Sequence, residues 1–161
     1  MPVKYLNSSG EKLENIASAI KSVDPDIISL QEVKGSVQAE SLADALGFNY
    51  VYVSHGDSRL EWGLAVLSRF TIVEYQQKVI HHDDKKPRVA LACTIDLPDA
   101  SITVVNIHYA LGDYDKQVKE TMRILADISG PALLMGDLNL LDPEEDLAPM
   151  RAELIDTCEA V

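Results

Sequence analysis

Hydrophobic positions along this 161-residue chain follow two rhythms. Short runs that alternate or stay continuously apolar read as strands at about Val3 to Leu6, Asp26 to Leu30, Tyr50 to Val53, Leu64 to Ser68, Ile72 to Val79, Arg88 to Ile95, Ile102 to Ile107 and Ala132 to Met135. Between them, Leu13, Ile16, Ile20 and Val23 recur at helical spacing, with Ser8 and Glu11 placed as a capping box in front. A second helix is expected over Val37 to Leu46. A third follows from Val118, Met122, Leu125 and Ile128, stopped by Gly130 and Pro131.

Several strands have no solvated face. In SITVVNIHY, Ile102 and Val104 take one side and Val105 and Ile107 the other, so both faces must meet apolar neighbours. DIISL and ALLM behave likewise. The expected architecture is an α/β, four-layered α-β-β-α sandwich, each sheet covered by helices on one side and by the other sheet on the second. A doubly wound, receiver-like or flavodoxin-like domain also has buried parallel strands of this kind, but the strands from Tyr50 to Ile107 follow one another without helices and argue against it.

Composition narrows the class. With 47% hydrophobic and 25% charged residues, the chain is ordinary for a globular protein and reads as one domain. Fourteen basic against 26 acidic residues give a net charge of -12, which repels polyanions and makes duplex DNA an unlikely partner. No apolar run is long enough to span a bilayer and no charged-then-apolar leader opens the chain, so a cytoplasmic setting is expected. Cys93 and Cys158 read as plain thiols. His81 to Lys86, HHDDKK, reads as a solvated hairpin loop rather than a metal cluster.

The chemistry gathers at strand ends. DPDIISLQEV finishes in Gln31 and Glu32, SITVVNIHY in Asn106 and His108, and PALLMGDLN in Asp137 and Asn139. In the last two, the polar pair is spaced two apart and faces one side of the sheet, where a convergent site can form. A carboxylate, amides and an imidazole without cysteines suit a hard cation and a phosphoryl oxygen better than zinc.

These motifs, in this order, resemble the endonuclease/exonuclease/phosphatase superfamily, the deoxyribonuclease I-like fold of Mg²⁺-dependent phosphoesterases. VKYLN has the spacing of the family's opening strand and PDIISLQEV is a close match. WGLAVLSRF resembles its central strand, VVNIHY its Asn-x-His and GDLN its Gly-Asp-x-Asn, while Gln117 falls where members carry a helix glutamine. The resemblance implies two mixed, mainly antiparallel sheets. It implies Mg²⁺, with Mn²⁺ as a substitute, held by Glu32 and Asn7. His108, Asp137 and Asn139 are implied as catalytic, and His108, Asn139 and Asn106 as phosphate-binding. The implied reaction is hydrolysis of a phosphodiester or phosphomonoester by in-line attack of water, with a small phosphoester as the expected substrate. Family members continue into further strands and a closing Ser-Asp-His motif; residues 1–161 lack it. The expectation is therefore an incomplete second sheet, weak activity of this chain alone, and a homodimer or complementing chain covering the apolar faces of GLAVLS, TIVEY or RVALACTI. The alternative is an inactive, family-related module that binds a phosphorylated ligand or a protein.

Overall fold

The computed structural model describes residues 8–56, 62–82, 87–140 and 146–157. The expected strand Val3 to Leu6, Asn7 and Cys158 lie outside the described residues, as do the side chains of Ser8 and Glu11. In chain order the elements are α1 (Ser8–Val23), β1 (Ile27–Lys34), α2 (Gly35–Leu46), β2 (Asn49–Ser54), β3 (Trp62–Ser68), β4 (Thr71–His81), β5 (Arg88–Asp96), β6 (Ser101–His108), α3 (Tyr114–Ala126), β7 (Ala132–Asp137) and α4 (Ala148–Arg151).

The strands form two open sheets. One has the order β1-β3-β2 and is antiparallel throughout; the other has the order β4-β5-β6-β7, antiparallel except for the parallel pair β6 and β7. Three apolar clusters define the layers. Val53, Leu64 and Val66 of the first sheet pack against Val89, Leu91, Cys93, Ile95 and Val104 of the second. Ala65 and Leu67 turn the other way, onto Ala17, Ala39, Leu42 and Ala43 of α1 and α2. Val105 and Ile107 likewise leave the second sheet to meet Val118 and Ile124 of α3 and Met150 of α4. The result is the expected four-layered α-β-β-α sandwich, and the two faces of β6 divide as the alternation in SITVVNIHY requires.

Burial departs from the sequence reading in three places. On α1 the inward stripe is Leu13, Ala17 and Ile20, while Ile16 is 45% and Val23 76% exposed. β7 is an edge strand with Leu133 38% exposed, although its run still packs on both faces, Leu134 towards α3 and Met135 into the inter-sheet core. The faces of GLAVLS and RVALACTI are covered, by the opposing sheet on one side and by helices on the other. Of the three runs, the β4 stretch TIVEY, at an edge, leaves Val73 and Tyr75 exposed. Within the inter-sheet core, burial pushes the free Cys93 thiol up to about 12, which leaves it chemically quiet.

Gly136 sets how closely β7 can approach β6. It pairs with Ile107, has φ 144°, and a Cβ placed there would overlap the Ile107 carbonyl. That conformation belongs to glycine, so the glycine before Asp137 is dictated by the strand pairing as well as by the turn. Gly136→Ala is expected to lower unfolding free energy by about 3 kcal/mol, read from urea melts at neutral pH; a loss under about 1 kcal/mol would mean that β7 shifts at little cost.

Candidate active site at the strand ends

β1 carries a β-bulge where the site begins. Its register with β3 breaks between Leu30 and Val33, and Glu32 inside the break adopts φ 57°, a left-handed conformation that is costly for a side chain bearing a Cβ. The bulge leaves Glu32 exposed while Val33 returns to the core under α2. Asn106, fully buried on β6, satisfies the backbone around it. Its Nδ2 donates to Leu30 O and to Ala65 O, both at 2.9 Å, and its Oδ1 accepts from Gln31 Nε2 at 2.8 Å. Its amide is therefore spent on holding the two sheets together, and the expectation that Asn106 binds phosphate is corrected: the side chain has no free donor and no exposed surface.

The parallel pairing of β6 and β7 brings the other strand ends together. His108 registers opposite Asp137, with His108 Nε2 at 3.9 Å from Asp137 Oδ2. Tyr109 N donates to Asp137 O at 2.9 Å and Tyr109 O accepts from Asn139 Nδ2 at 2.9 Å. Asn139, at φ 49°, also donates its backbone N–H to Asp137 Oδ1 at 2.9 Å, so the carboxylate closes its own turn. The Tyr114 hydroxyl donates to Asn139 O at 2.8 Å. Gln117, fully buried, folds the loop after His108: Ala110 N donates to its Oε1 at 2.7 Å, and its Nε2 donates to Ala110 O at 3.0 Å and Gly112 O at 2.8 Å.

Glu32, His108 and Asn139 thus line one cleft of about 310 Å³ together with His81, Arg88, Ala110 and Leu111. Asp137 stands at its edge, against His108 and exposed. Two of these residues escape the sequence reading. His81, assigned there to a solvated loop, ends β4 and pairs with Arg88 at the start of β5, and both face the cleft. A third residue, His55, follows β2; it is buried, its Nδ1 accepts from Val89 N at 3.4 Å, and its ring lies 6.0 Å from that of His108. The available signal was positional: His55, His81 and Arg88 all sit at strand ends on the edge where Glu32 and His108 emerge.

Burial and neighbouring cations govern the charges here. Burial, then Arg88 and His108, holds the His55 pKa down at about 4. Burial, then Arg88, also lowers His108, with Asp137 and Glu32 opposing. Both imidazoles are neutral at pH 7. Burial lowers Arg88 as well, with Glu32 offsetting part of that, and the Arg88 Nε is buried without a partner among the described residues.

The donor set fits a hard cation. Mg²⁺ takes one or two protein carboxylates and completes its shell with water and substrate oxygens, and Glu32 supplies an exposed carboxylate with Asp137 acting on the same imidazole. Among the described residues no group of three or more His, Cys, Asp or Glu could hold a metal ion by itself, so a bound cation would depend on water and substrate oxygens for most of its shell.

The strand ends of this four-layered sandwich thus converge on a carboxylate, imidazoles, a guanidinium and an amide. The profile described as "Endonuclease/Exonuclease/phosphatase family" matches residues 5–157, and the chain belongs to that family. It is 28% identical over 149 residues to "Uncharacterized protein YbhP" of Escherichia coli (strain K12), covering 79% of this chain and 58% of that relative. It is 23% identical to "Exodeoxyribonuclease III" of Haemophilus influenzae, covering 88% and 58%. Among solved structures, the mannosyl-6-phosphatase Bt3783 of Bacteroides thetaiotaomicron superposes with a TM-score of 0.70 at 23% identity, over 85% of this chain and 60% of that one. The chain spans 58% of the length of these curated relatives. No helix among the described residues is long and apolar enough to cross a membrane.

The neutral His55 has a consequence for stability. Its folded pKa, about 4, lies below the ordinary 6.5, so its contribution is fully present above pH 6.5 and is lost as pH falls towards 4. Replacing it should flatten the acid limb: the stability lost by the natural chain between pH 7 and pH 4.5 should exceed that lost by His55→Gln by roughly 2 to 3 kcal/mol, read from urea melts at both pH values. Equal losses would show that His55 is protonated without penalty.

Proposed function

We propose that the chain is a metal-dependent phosphoesterase domain spanning residues 1–161, hydrolysing a small phosphoester by in-line attack of water. The observation that carries this reading is the gathering of Glu32, His81, Arg88, His108 and Asn139 around one cleft, with Asp137 against His108.

In this reading Glu32, with Asn7, would hold Mg²⁺ or Mn²⁺, and the ion would supply polarisation of the phosphoryl group and stabilisation of the leaving oxygen. The chain's own residues do the rest. His108, neutral, donates a hydrogen bond to a phosphoryl oxygen as charge develops there. Asn139 uses one amide hydrogen on Tyr109 O, and its second donates to the same group. Arg88 offers a positive charge to the phosphate, and the nearby Glu32 carboxylate favours that charge. Asp137, fixed by the Asn139 backbone, accepts a hydrogen from the attacking water and orients it. Asn106 and Gln117 position, through the bulge and the loop after His108.

Substrate size follows from charge. A net charge of -12 opposes a long polyanion, which favours a small phosphoester of the kind named for the Bacteroides phosphatase over the DNA named for the Haemophilus exonuclease.

Two outcomes test this reading. Calorimetric titration with Mn²⁺ should show binding that Glu32→Ala removes. With metal present, His108→Ala and Asp137→Asn should each lower kcat on a chromogenic phosphodiester by roughly 10² to 10⁴. Metal binding without turnover by the natural chain would leave a binding module in place of an enzyme. Separately, a fluorescence titration with a 20-base-pair duplex at about 0.15 M salt should give only weak binding; a tight, steeply salt-dependent complex would overturn the small-substrate assignment.

A further inference from the structure

Two buried ring nitrogens beside the cleft have no partner among the described residues, His55 Nε2 and His108 Nδ1. They belong to neighbouring rings, with centroids 6.0 Å apart and planes inclined at 59°. What each nitrogen offers follows from the other side of its own ring. His55 Nδ1 accepts from Val89 N–H at 3.4 Å, so the single proton of that neutral ring sits on Nε2, which makes Nε2 a donor. His108 Nε2 faces Asp137 Oδ2 at 3.9 Å; a carboxylate on that side favours the proton on Nε2 and leaves Nδ1 as an acceptor. A buried donor and a buried acceptor thus lie on neighbouring rings. The opposite tautomer of His108 would set two N–H groups against each other in a buried space, leaving both unsatisfied.

We propose that His55 is a positioning residue for His108: its Nε2–H is linked to His108 Nδ1 through one bridging water, and holds His108 in the tautomer that presents Nε2–H to the cleft. The relay runs from the Val89 amide through His55 to His108, and so ties the imidazole to the first pairs of β5 rather than to the loop that follows β6. A neutral histidine in this place orients the ring without adding a negative charge behind it. His108 then keeps its donor for the phosphoryl oxygen and gains no tendency to become cationic. Its catalytic consequence rests on the phosphoesterase reading; the tautomer itself does not.

The test reads the tautomer directly. Two-bond ¹H–¹⁵N correlation spectra of the full chain at pH 7.5 should show both His55 and His108 with protonated Nε2 and bare Nδ1. In His55→Phe, which keeps the ring volume and loses the donor, His108 should move towards a mixture with the Nδ1–H form. Its kcat on the chromogenic phosphodiester should fall about tenfold or more while KM stays within about twofold. His55→Gln retains an N–H donor and should restore the Nε2–H form at least in part. A natural chain with His108 as Nδ1–H overturns the proposal, as does an unchanged His108 spectrum in a folded His55→Phe. Should His55→Phe fail to fold by its amide spectrum, the natural chain and His55→Gln decide the matter by the same signals. A natural chain with the expected tautomers and no turnover would support the link while overturning the hydrolytic reading.

Discussion

Everything at the polar end of this fold depends on one buried amide. The β1 bulge breaks the ladder beside Leu30 and would strand backbone carbonyls in a dry interior, where an unpaired polar group is expensive. Asn106 meets Leu30 O and Ala65 O with a single NH₂ group and meets Gln31 with its oxygen, so the side chain is satisfied on both ends. That bond set lets the chain hold Glu32 in a left-handed conformation and turn its carboxylate outward. It also fixes the strand of His108 against the strand of Glu32, although the two belong to different sheets. Without it, the bulge would anneal into regular pairing or the sheets would part at this edge.

The electrostatic character of the cleft follows from that anchoring. The molecule is strongly acidic, yet Arg88 stands half-buried beside two imidazoles and helps keep both neutral. Glu32 and Asp137 act on His108 in the opposite sense. Opposed fixed charges with neutral rings between them suit a phosphate ester, which brings its own negative charge and receives more as its ester bond breaks. The arrangement is preorganised because each contributor sits at or beside the end of a strand whose middle lies in the apolar core.

The layers were legible in the chain because both faces of β6 are apolar, and a strand with no solvated face must lie between coverings. The ends of β1, β6 and β7 were legible too, since polar residues two apart on one strand share a side. What alternation cannot tell is whether a polar side chain is free. Asn106 and His108 look equivalent in NIH, but one is consumed by backbone and the other faces the cleft. Nor can an apolar run tell an interior strand from an edge, which is why ALLM reads as buried although Leu133 is not. His55, His81 and Arg88 were hidden for a different reason. Each is a lone residue beside a loop, and only the pairing of β4 with β5 and the proximity of β2 bring them to the cleft.

The parallel pairing of β6 with β7 carries a kinetic consequence. The pairs β4-β5 and β5-β6 are antiparallel neighbours in sequence, whereas β7 can dock only after α3 has crossed the sheet between them. The Asn106 bonds to Leu30 and Ala65 span 76 and 41 residues. Contacts of such separation carry a high loop-closure cost and belong to the late part of folding. The hairpins and helices can therefore be in place while the polar end is still unassembled. A chain arrested at that stage would show native-like secondary structure and a partly formed core, yet lack the edge where Glu32, His108 and Asp137 come together.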